Sequence, residues 1–431
     1  MMRRAARRFL SMTIYIVAAG ALFTVHAAGA EISIAPAPGA LAAAVEAAQT
    51  GDTLILSPGR HDGPVTLTKP LAVIGRKGAT ISSGGRGSVI TVDAPDCRIE
   101  ELIIENSGRS GVDLDAGVKL TARAQRARVE RNIFNNNLVG VDVHGAPEAR
   151  VAMNEINGLD SARMNDRGNG VYVWNAPGAV IADNRISGGR DGVFINSSRN
   201  NLIAGNTMTK LRFAVHYMYT LDSRVVDNVS TGNHLGFALM FSSGLVVAGN
   251  RSIGDRDHGV MLNFVNNSEI RANEVTGGAE KCLFVYNANK NAISRNRFEG
   301  CGIGVHFTAG SAGNTLFENA FIANRTQVKY VGSTTHEWSR DGVGNYWSGQ
   351  AAYDVNGDGV ADQPFRPNGA MDQILWTQPA ARLLLGSPAF QIIRWAQGSF
   401  PSLLPGGVID SAPLMRPVDA GAGRRQDHKG G

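Results

Sequence analysis

The sequence predicts an all-β protein, a right-handed parallel β-helix, and two periodic patterns carry that prediction. Asparagine recurs every 22 or 23 residues through the middle of the chain, and a short apolar strand pattern recurs with the same period. The composition agrees, because 52 glycines and only 7% aromatic residues are typical of many short strands joined by tight turns. A period this regular indicates stacked coils that each bury a face on the next.

The asparagine column has nine members, and a branched apolar residue stands three positions before each of them. The asparagines are Asn132, Asn154, Asn184, Asn206, Asn228, Asn250, Asn273, Asn296 and Asn319. One step in the series is longer, 30 residues, and holds an insertion that we expect to form a surface loop. We expect the side-chain amides to bond from coil to coil within a stacked turn.

The strand column begins in most coils with a small residue, usually glycine, followed by an apolar-x-apolar pattern, as in Gly140-Val-Asp-Val143. The first and third residues after the small one are apolar or aromatic in eight coils, so they should point inward. The second and fourth vary and should point outward. These features are typical of a solenoid of the pectin-lyase-like kind.

The chain divides into five predicted segments. Residues 1–30 read as a signal peptide, with an arginine-rich start, an apolar run from Phe9 to Val25 and small residues before Glu31. Residues 31–100 should form an N-terminal cap, including a short helix from Leu41 to Gln49, and the first coils. Residues 101–330 should form the β-helix repeats, residues 331–417 a mostly irregular or helical cap or docking region, and residues 418–431 a disordered tail.

Charge and cysteine content exclude two classes of protein. The full chain has 42 Lys and Arg against 37 Asp and Glu, and the predicted signal peptide holds four of those arginines. The mature protein is therefore nearly neutral, which gives no electrostatic support for a nucleic-acid partner. Three cysteines make no disulfide scaffold. Cys282 and Cys301 lie within one coil of each other, close enough to bridge, although we expect free buried thiols.

A calcium-like loop follows the repeats. Its oxygen ligands fall at alternate positions, with a glycine where such a loop turns, at Asp354, Asn356, Asp358 and Asp362. The acid that usually ends the loop is replaced by Phe365. The sequence predicts a structural Ca²⁺ here, and an Asx-rich turn without an ion is the alternative.

Apolar residues cluster between residues 371 and 400, where prolines divide the chain into short helices. They either cap the far end of the solenoid or dock a partner. The candidate docking residues are Trp376, Leu383, Leu384, Phe390, Ile393 and Trp395.

Together these motifs resemble the NosD family, the periplasmic components of the nitrous oxide reductase maturation system. The asparagine-centred coils, Gly342-x-Gly-Asn-Tyr-Trp347, the calcium-like loop and Asp410-Ser-x-Pro-Leu-Met415 occur together over nearly the whole mature chain. The resemblance implies a non-enzymatic accessory of an ABC transporter with a membrane permease and a cytoplasmic ATPase. It also implies a copper chaperone as donor and copper, or sulfur, delivered to nitrous oxide reductase.

The outward strand positions suggest where Cu(I) would bind. His216 and Met218 should be neighbours on one outer face, with Met240 one coil and Met261 two coils further along. Thioether and imidazole ligands suit Cu(I), and flexible methionines can release it. A methionine-lined interface without metal is the alternative. A second copper candidate is His234 with His258, which we expect in the turn before this strand, beside Asp255 and Asp257.

Two other functions remain open at this point. A polysaccharide lyase or epimerase would need catalytic carboxylates in a groove, and Asp142 is the only carboxylate among the outward positions. The run from Asp255 to His258 is the one cluster suited to acid–base work. A metal-free structural adaptor between transporter and reductase is the other alternative.

Overall fold

The computed structural model describes residues 29–159, 161, 163–399 and 406–418, and the chain winds in coils that feed three parallel sheets. Successive coils supply neighbouring strands, so the ladder hydrogen bonds run along the stack. The predicted parallel β-helix is confirmed. Residues 1–28 of the predicted signal peptide and residues 419–431 of the predicted tail lie outside the described residues.

Each sheet takes one strand from each coil. The strands of sheet 1 are Glu31–Ile34, Thr53–Leu56, Ala72–Gly75, Arg98–Glu100, Arg128–Glu130, Arg150–Ala152, Val180–Ala182, Leu202–Ala204, Arg224–Val226, Val246–Ala248, Glu269–Arg271, Ala292–Ser294 and Thr315–Phe317. The strands of sheet 2 are Val65–Leu67, Ile90–Val92, Ala116–Leu120, Val139–His144, Val171–Trp174, Asp191–Asn196, Phe213–Met218, Leu235–Ser243, His258–Asn266, Lys281–Tyr286, Ile303–Thr308 and Thr326–Val331. The strands of sheet 3 are Gly59–Asp62, Ala79–Ser82, Ile103–Glu105, Ile133–Asn137, Glu155–Gly158, Arg185–Ser187, Thr207–Thr209, Val229–Thr231, Arg251–Ile253, Glu274–Thr276, Arg297–Glu299, Ala320–Ile322 and Tyr346–Trp347.

The asparagine column forms a continuous ladder in the turn between sheets 1 and 3. The Asn228 side chain, for example, donates to the carbonyl of Ile203 at 2.9 Å and to Oδ1 of Asn250 at 3.0 Å. Its own Oδ1 accepts the backbone N–H of Asn206 at 3.0 Å. The predicted coil-to-coil amide bonding is confirmed, and it satisfies backbone groups that would otherwise be buried without partners.

The N-terminal end of the stack is covered by a helix over Ala40–Ala47, as expected, with Leu41 and Val45 buried beneath it. The stack itself begins at Glu31–Ile34, which pairs with Thr53–Leu56.

The C-terminal segment returns to close the other end. Strand Thr335–Glu337 pairs with Gly407–Ile409. Asn345 extends the asparagine ladder, and its backbone N–H is accepted by buried Asp410 at 2.7 Å. The Trp347 indole donates to the same carboxylate at 2.8 Å. Asp410 therefore terminates the ladder with an acceptor.

Helical turns cover Ala370–Thr377, Pro379–Leu384 and Pro388–Ser399. Among the described residues, no helix has the length and apolar character needed to cross a membrane.

The expectation of free thiols at Cys282 and Cys301 was wrong, because the two residues form a disulfide. Cys282 occupies the small-residue position that starts its strand, and Cys301 lies in the turn that leads to the next coil. The stacking of coils brings these two positions within bridging distance, with a Cα–Cα separation of 5.7 Å. Cys97 is the buried free thiol.

Candidate functional site

The four primary copper candidates lie on three successive strands of sheet 2. The register pairs Met218 with Met240, and it pairs His216 with Ala238 and Ala238 with Met261. Ala238 is fully buried although the strand alternation turns it outward. A methyl group on the outer face of a sheet is buried only when larger neighbours close over it. In the register, His216 and Met261 flank Ala238 on the two neighbouring coils, and Met240 lies two residues further along the strand of Ala238.

His216 is firmly oriented by its neighbours. Its Nδ1 lies 3.0 Å from Oδ2 of Asp191, and Arg212 donates two hydrogen bonds to the same carboxylate, at 2.8 and 2.6 Å. The ring stacks on Phe194 with centroids 4.3 Å apart and meets the edge of Phe213 at 5.1 Å. Its other nitrogen, Nε2, is buried and has no hydrogen-bond partner. A buried imidazole nitrogen without a partner is costly, and a metal ion is one group that would satisfy it.

Asp191 is ionised in this arrangement. Burial acts to raise its pKa, but the hydrogen bonds from His216 and Arg212 outweigh burial and hold the pKa below its ordinary value. An ionised carboxylate accepts a hydrogen bond from Nδ1–H of an imidazole, and the tautomer with its hydrogen on Nδ1 carries its lone pair on Nε2, where a ligand binds. Asp191 was not among the predicted site residues, because it precedes the small residue of its strand rather than occupying an expected outward position.

The secondary copper candidates are separated. His234 lies in a turn, where its Nε2 is 2.9 Å from Asp257. The expectation that His258 lies in the same turn was wrong, since it begins the strand His258–Asn266 and pairs in register with Leu235 and Lys281. The physical reason is the small-residue column: the chain bends at Gly259, and the residue before the bend joins the sheet.

The acidic candidates are occupied by structural hydrogen bonds or lack a catalytic partner. Asp255 is buried and accepts the hydroxyls of Ser230 and Ser252, each at 2.6 Å. Burial raises its pKa despite these bonds. Asp142 is also buried, and burial raises its pKa to about 7 against the opposing charge of Lys119 at 3.8 Å. These two carboxylates lie far apart along the stack, on different faces of it, so they form no acid–base pair.

In the calcium-like loop, the side-chain oxygens already accept hydrogen bonds from the loop. Asp354 accepts two backbone N–H groups at 2.7 and 2.9 Å, and Asp362 accepts one at 2.7 Å. Asn356 donates to Asp358 at 2.9 Å. No cluster of three or more His, Cys, Asp or Glu side chains suited to a metal occurs in the described part of the chain. Calcium binding therefore stays a prediction.

The candidate docking residues lie on the C-terminal helices. Leu383, Leu384 and Trp395 are 91%, 55% and 67% exposed, while Trp376 and Ile393 are half-buried. The side chain of Phe390 lies outside the described part of the structure.

Sequence reasoning missed a stripe of aromatic rings directly beside the methionines. Tyr219, Phe241 and Phe264 follow Met218, Met240 and the next coil's equivalent position, and their rings stack at 5.3 and 5.2 Å. All three are exposed and adopt φ angles of 53°, 48° and 54°. Bulky residues rarely adopt this left-handed conformation. Coils on either side place residues that tolerate it at the same position: Gly145, Asn175, Ser197 and Asn287.

Comparison with known proteins identifies relatives. The family model "Periplasmic copper-binding protein (NosD)" matches residues 152–352. A protein of Stutzerimonas stutzeri named "Probable ABC transporter binding protein NosD" is 38% identical, over 84% of this chain and 86% of that relative. A protein of the same name from Pseudomonas aeruginosa is 40% identical, over 84% and 87%. Among solved structures, an alginate lyase of family PL6 in complex with a trisaccharide superposes with a TM-score of 0.53 at 14% identity, over 78% of this chain and 90% of the lyase. That likeness shows the fold alone.

Proposed function

Because the chain belongs to the NosD family of periplasmic copper-binding proteins, we propose that it receives Cu(I) on sheet 2 and hands it on. The ligands in this proposal are His216, Met218, Met240 and Met261. The observation that carries it is the buried, unpartnered Nε2 of His216 beside the paired thioethers of Met218 and Met240.

The chemistry of these side chains suits a transferred ion better than a permanent one. Thioethers select Cu(I) over hard cations, and imidazole also binds copper. The Asp191 carboxylate fixes the orientation of His216, so this ligand needs no rearrangement when the ion arrives. The methionine side chains are long and unbranched, and they can follow the ion toward a second protein.

The wider assignment follows from the relatives. Two of them are named as ABC transporter binding proteins. We therefore propose that this protein, exported to the periplasm by its signal peptide, works with a permease subunit, a cytoplasmic ATPase and a copper chaperone. It would supply copper, or sulfur, for the copper–sulfur cluster of nitrous oxide reductase. Residues on the C-terminal helices would dock the permease.

Anaerobic Cu(I) titration of the purified mature protein against a competing chelator tests the proposal. The comparison is between the wild type and a variant with alanine at His216, Met218, Met240 and Met261. Alanine at Met153 and Met164, two exposed methionines elsewhere, gives the matched control. Binding by the wild type and the control but not by the site variant supports copper carriage on sheet 2.

Other outcomes favour other functions. Equal binding by all three proteins would contradict the sheet 2 site and shift attention to His234. Absence of binding in the wild type would favour a metal-free adaptor that links transporter to reductase. A polysaccharide lyase or epimerase has less support, because Asp255 is hydrogen-bonded within the core and the relatives are named as binding proteins.

A further inference from the structure

A second histidine lies on the same outward face as the proposed copper site, two coils further along. His258 begins its strand in the register position that Phe213 holds two coils earlier. Met261 holds the position of His216. The relation between His258 and Met261 is therefore the same as that between Phe213 and His216, whose rings are 5.1 Å apart.

A third coil repeats the relation and confirms how close these positions lie. Lys281 and Phe284 occupy the equivalent places in the next strand, and the lysine Nζ is 5.2 Å from the ring centroid. In these coils, the side chain of the residue before the small residue therefore lies near the side chain three positions later in the sequence. An imidazole and a thioether are consequently neighbours at His258 and Met261.

His258 has the features of a ligand rather than of a satisfied structural histidine. Its Nδ1 is buried and has no hydrogen-bond partner. This nitrogen is therefore the atom of His258 that is open to a ligand.

The two imidazoles contact different coils, and two coils separate their backbones by about 9.6 Å. The rings also lean away from each other. His216 stacks on Phe194 of the preceding coil, and His258 meets the edge of Phe284 of the following coil at 5.2 Å.

We propose that His258 and Met261 form a second Cu(I) position on sheet 2, so that the protein carries two ions in line along the solenoid. This inference rests on the proposed function and deepens it. His216 lies at one end of this row of ligands and His258 at the other. Met240 lies on the coil between them, and Met261 lies on the same coil as His258.

The charged side chains around the two proposed copper positions differ, and this difference predicts which position binds Cu(I) more tightly. Asp191 places a carboxylate next to the first position, where Arg212 balances it. The second has the Lys281 ammonium beside it, itself paired with Glu280 at 3.0 Å, and the Nδ1 of its imidazole has no hydrogen-bond partner. The first ion therefore binds more tightly than the second.

The number of Cu(I) ions bound per chain in an anaerobic chelator competition tests this proposal. We expect two ions for the wild type, one for His258→Ala and one for His216→Ala. His234→Ala removes a histidine from the neighbouring turn and should retain two. X-ray absorption of singly loaded His216→Ala should show one nitrogen and at least one sulfur neighbour. Thermal unfolding of each variant verifies that the stack is intact.

Each alternative result contradicts a defined part of the two proposals. A single ion that is lost in His216→Ala and unaffected in His258→Ala leaves the proposed function standing and removes the second position. A single ion lost in both variants shows one shared site and likewise removes it. Absence of copper from the wild type removes both proposals.

Discussion

His216 concentrates the functional chemistry of the protein at the scale of one residue. Its ring is buried, held on one side by a stacked phenyl ring and oriented at Nδ1 by an ionised carboxylate. Its other nitrogen, Nε2, has no hydrogen-bond partner, and Met218 lies two residues further along the same strand. The arrangement therefore favours a ligand held ready for a soft ion.

Replacing Asp191 should weaken Cu(I) binding without removing a ligand. We expect Asp191→Ala to lower the affinity about 10- to 100-fold, the usual effect of losing a partner that orients a metal-binding histidine. Asp191→Asn keeps an acceptor for Nδ1–H and should fall between the alanine variant and the wild type. Chelator competition measures the series. Asp183→Asn, an exposed substitution in a turn, serves as control, and equal affinities across the series would contradict the role of Asp191.

Asp142 should make stability depend on pH. Its pKa rises from 3.8 when unfolded to about 7 when folded, because burial disfavours the charged form. Between these values the folded state binds more protons than the unfolded state, so stability falls as pH rises from about 4 to 7. The facing groups are Lys119, His144 and Tyr172.

Asp142→Asn removes this titration. The variant should lose the decline in unfolding free energy, which is about 4 kcal/mol at most by the size of the shift. Urea unfolding at several pH values measures the effect, with exposed Asp222→Asn as control. An unchanged pH profile in Asp142→Asn would show that other groups set the pH dependence.

Within one coil, the sequence pattern predicts the fold but only part of the candidate copper site. The asparagine period and the apolar-x-apolar strands predict the stack because each pattern follows directly from what faces the core, as at Val141 and Val143. The strand pattern did not predict that Asp191 and His258 lie on the outward face. They precede the small residue, and only the bend at that residue turns them to the outward face. The sequence also does not show which outward side chains are covered by residues of neighbouring coils. From the strand pattern alone, Ala238 would be predicted to be exposed, although it is buried.

The aromatic stripe of Tyr219, Phe241 and Phe264 is the clearest local conflict between sequence and fold. A left-handed conformation costs a bulky residue about 1–2 kcal/mol, and the rings are exposed, so little burial offsets that cost. Ring stacking returns about 0.5–1.5 kcal/mol per pair. Other turn positions along the stack also hold non-glycine residues in this conformation, among them Arg131, Lys210 and Arg295.

Substitutions at Phe241 should reveal the strain. Both Phe241→Asn and Phe241→Ala remove the ring, but asparagine tolerates the left-handed conformation and alanine does not. We expect the asparagine variant to be the more stable by about 1 kcal/mol in unfolding free energy. The same pair of substitutions at Phe194, inside a regular strand, should show no advantage for asparagine. An alanine variant at Phe241 as stable as the asparagine variant would contradict the strain.

At the scale of the whole molecule, the C-terminal region combines a cap with an exposed apolar surface. Asp410 ends the asparagine ladder and also accepts a hydrogen bond from Trp347, so the segment around Asp410 is part of the stack. The helices between residues 370 and 399 present exposed leucines instead. Truncation after Gly369 would remove both features together, and loss of assembly could then reflect an unfolded end.

Point substitutions separate docking from capping. Leu383→Glu combined with Ile392→Glu should leave thermal stability unchanged, since both side chains are largely exposed, 91% and 63%. The same variant should fail to co-purify with the membrane permease, because a carboxylate in an apolar interface is costly to desolvate. Leu221→Glu, at an exposed apolar position on the solenoid, is the matched control and should retain the complex. If the double variant assembled as well as the control, the permease would have to dock elsewhere on the stack, and the exposed helices would have a different partner.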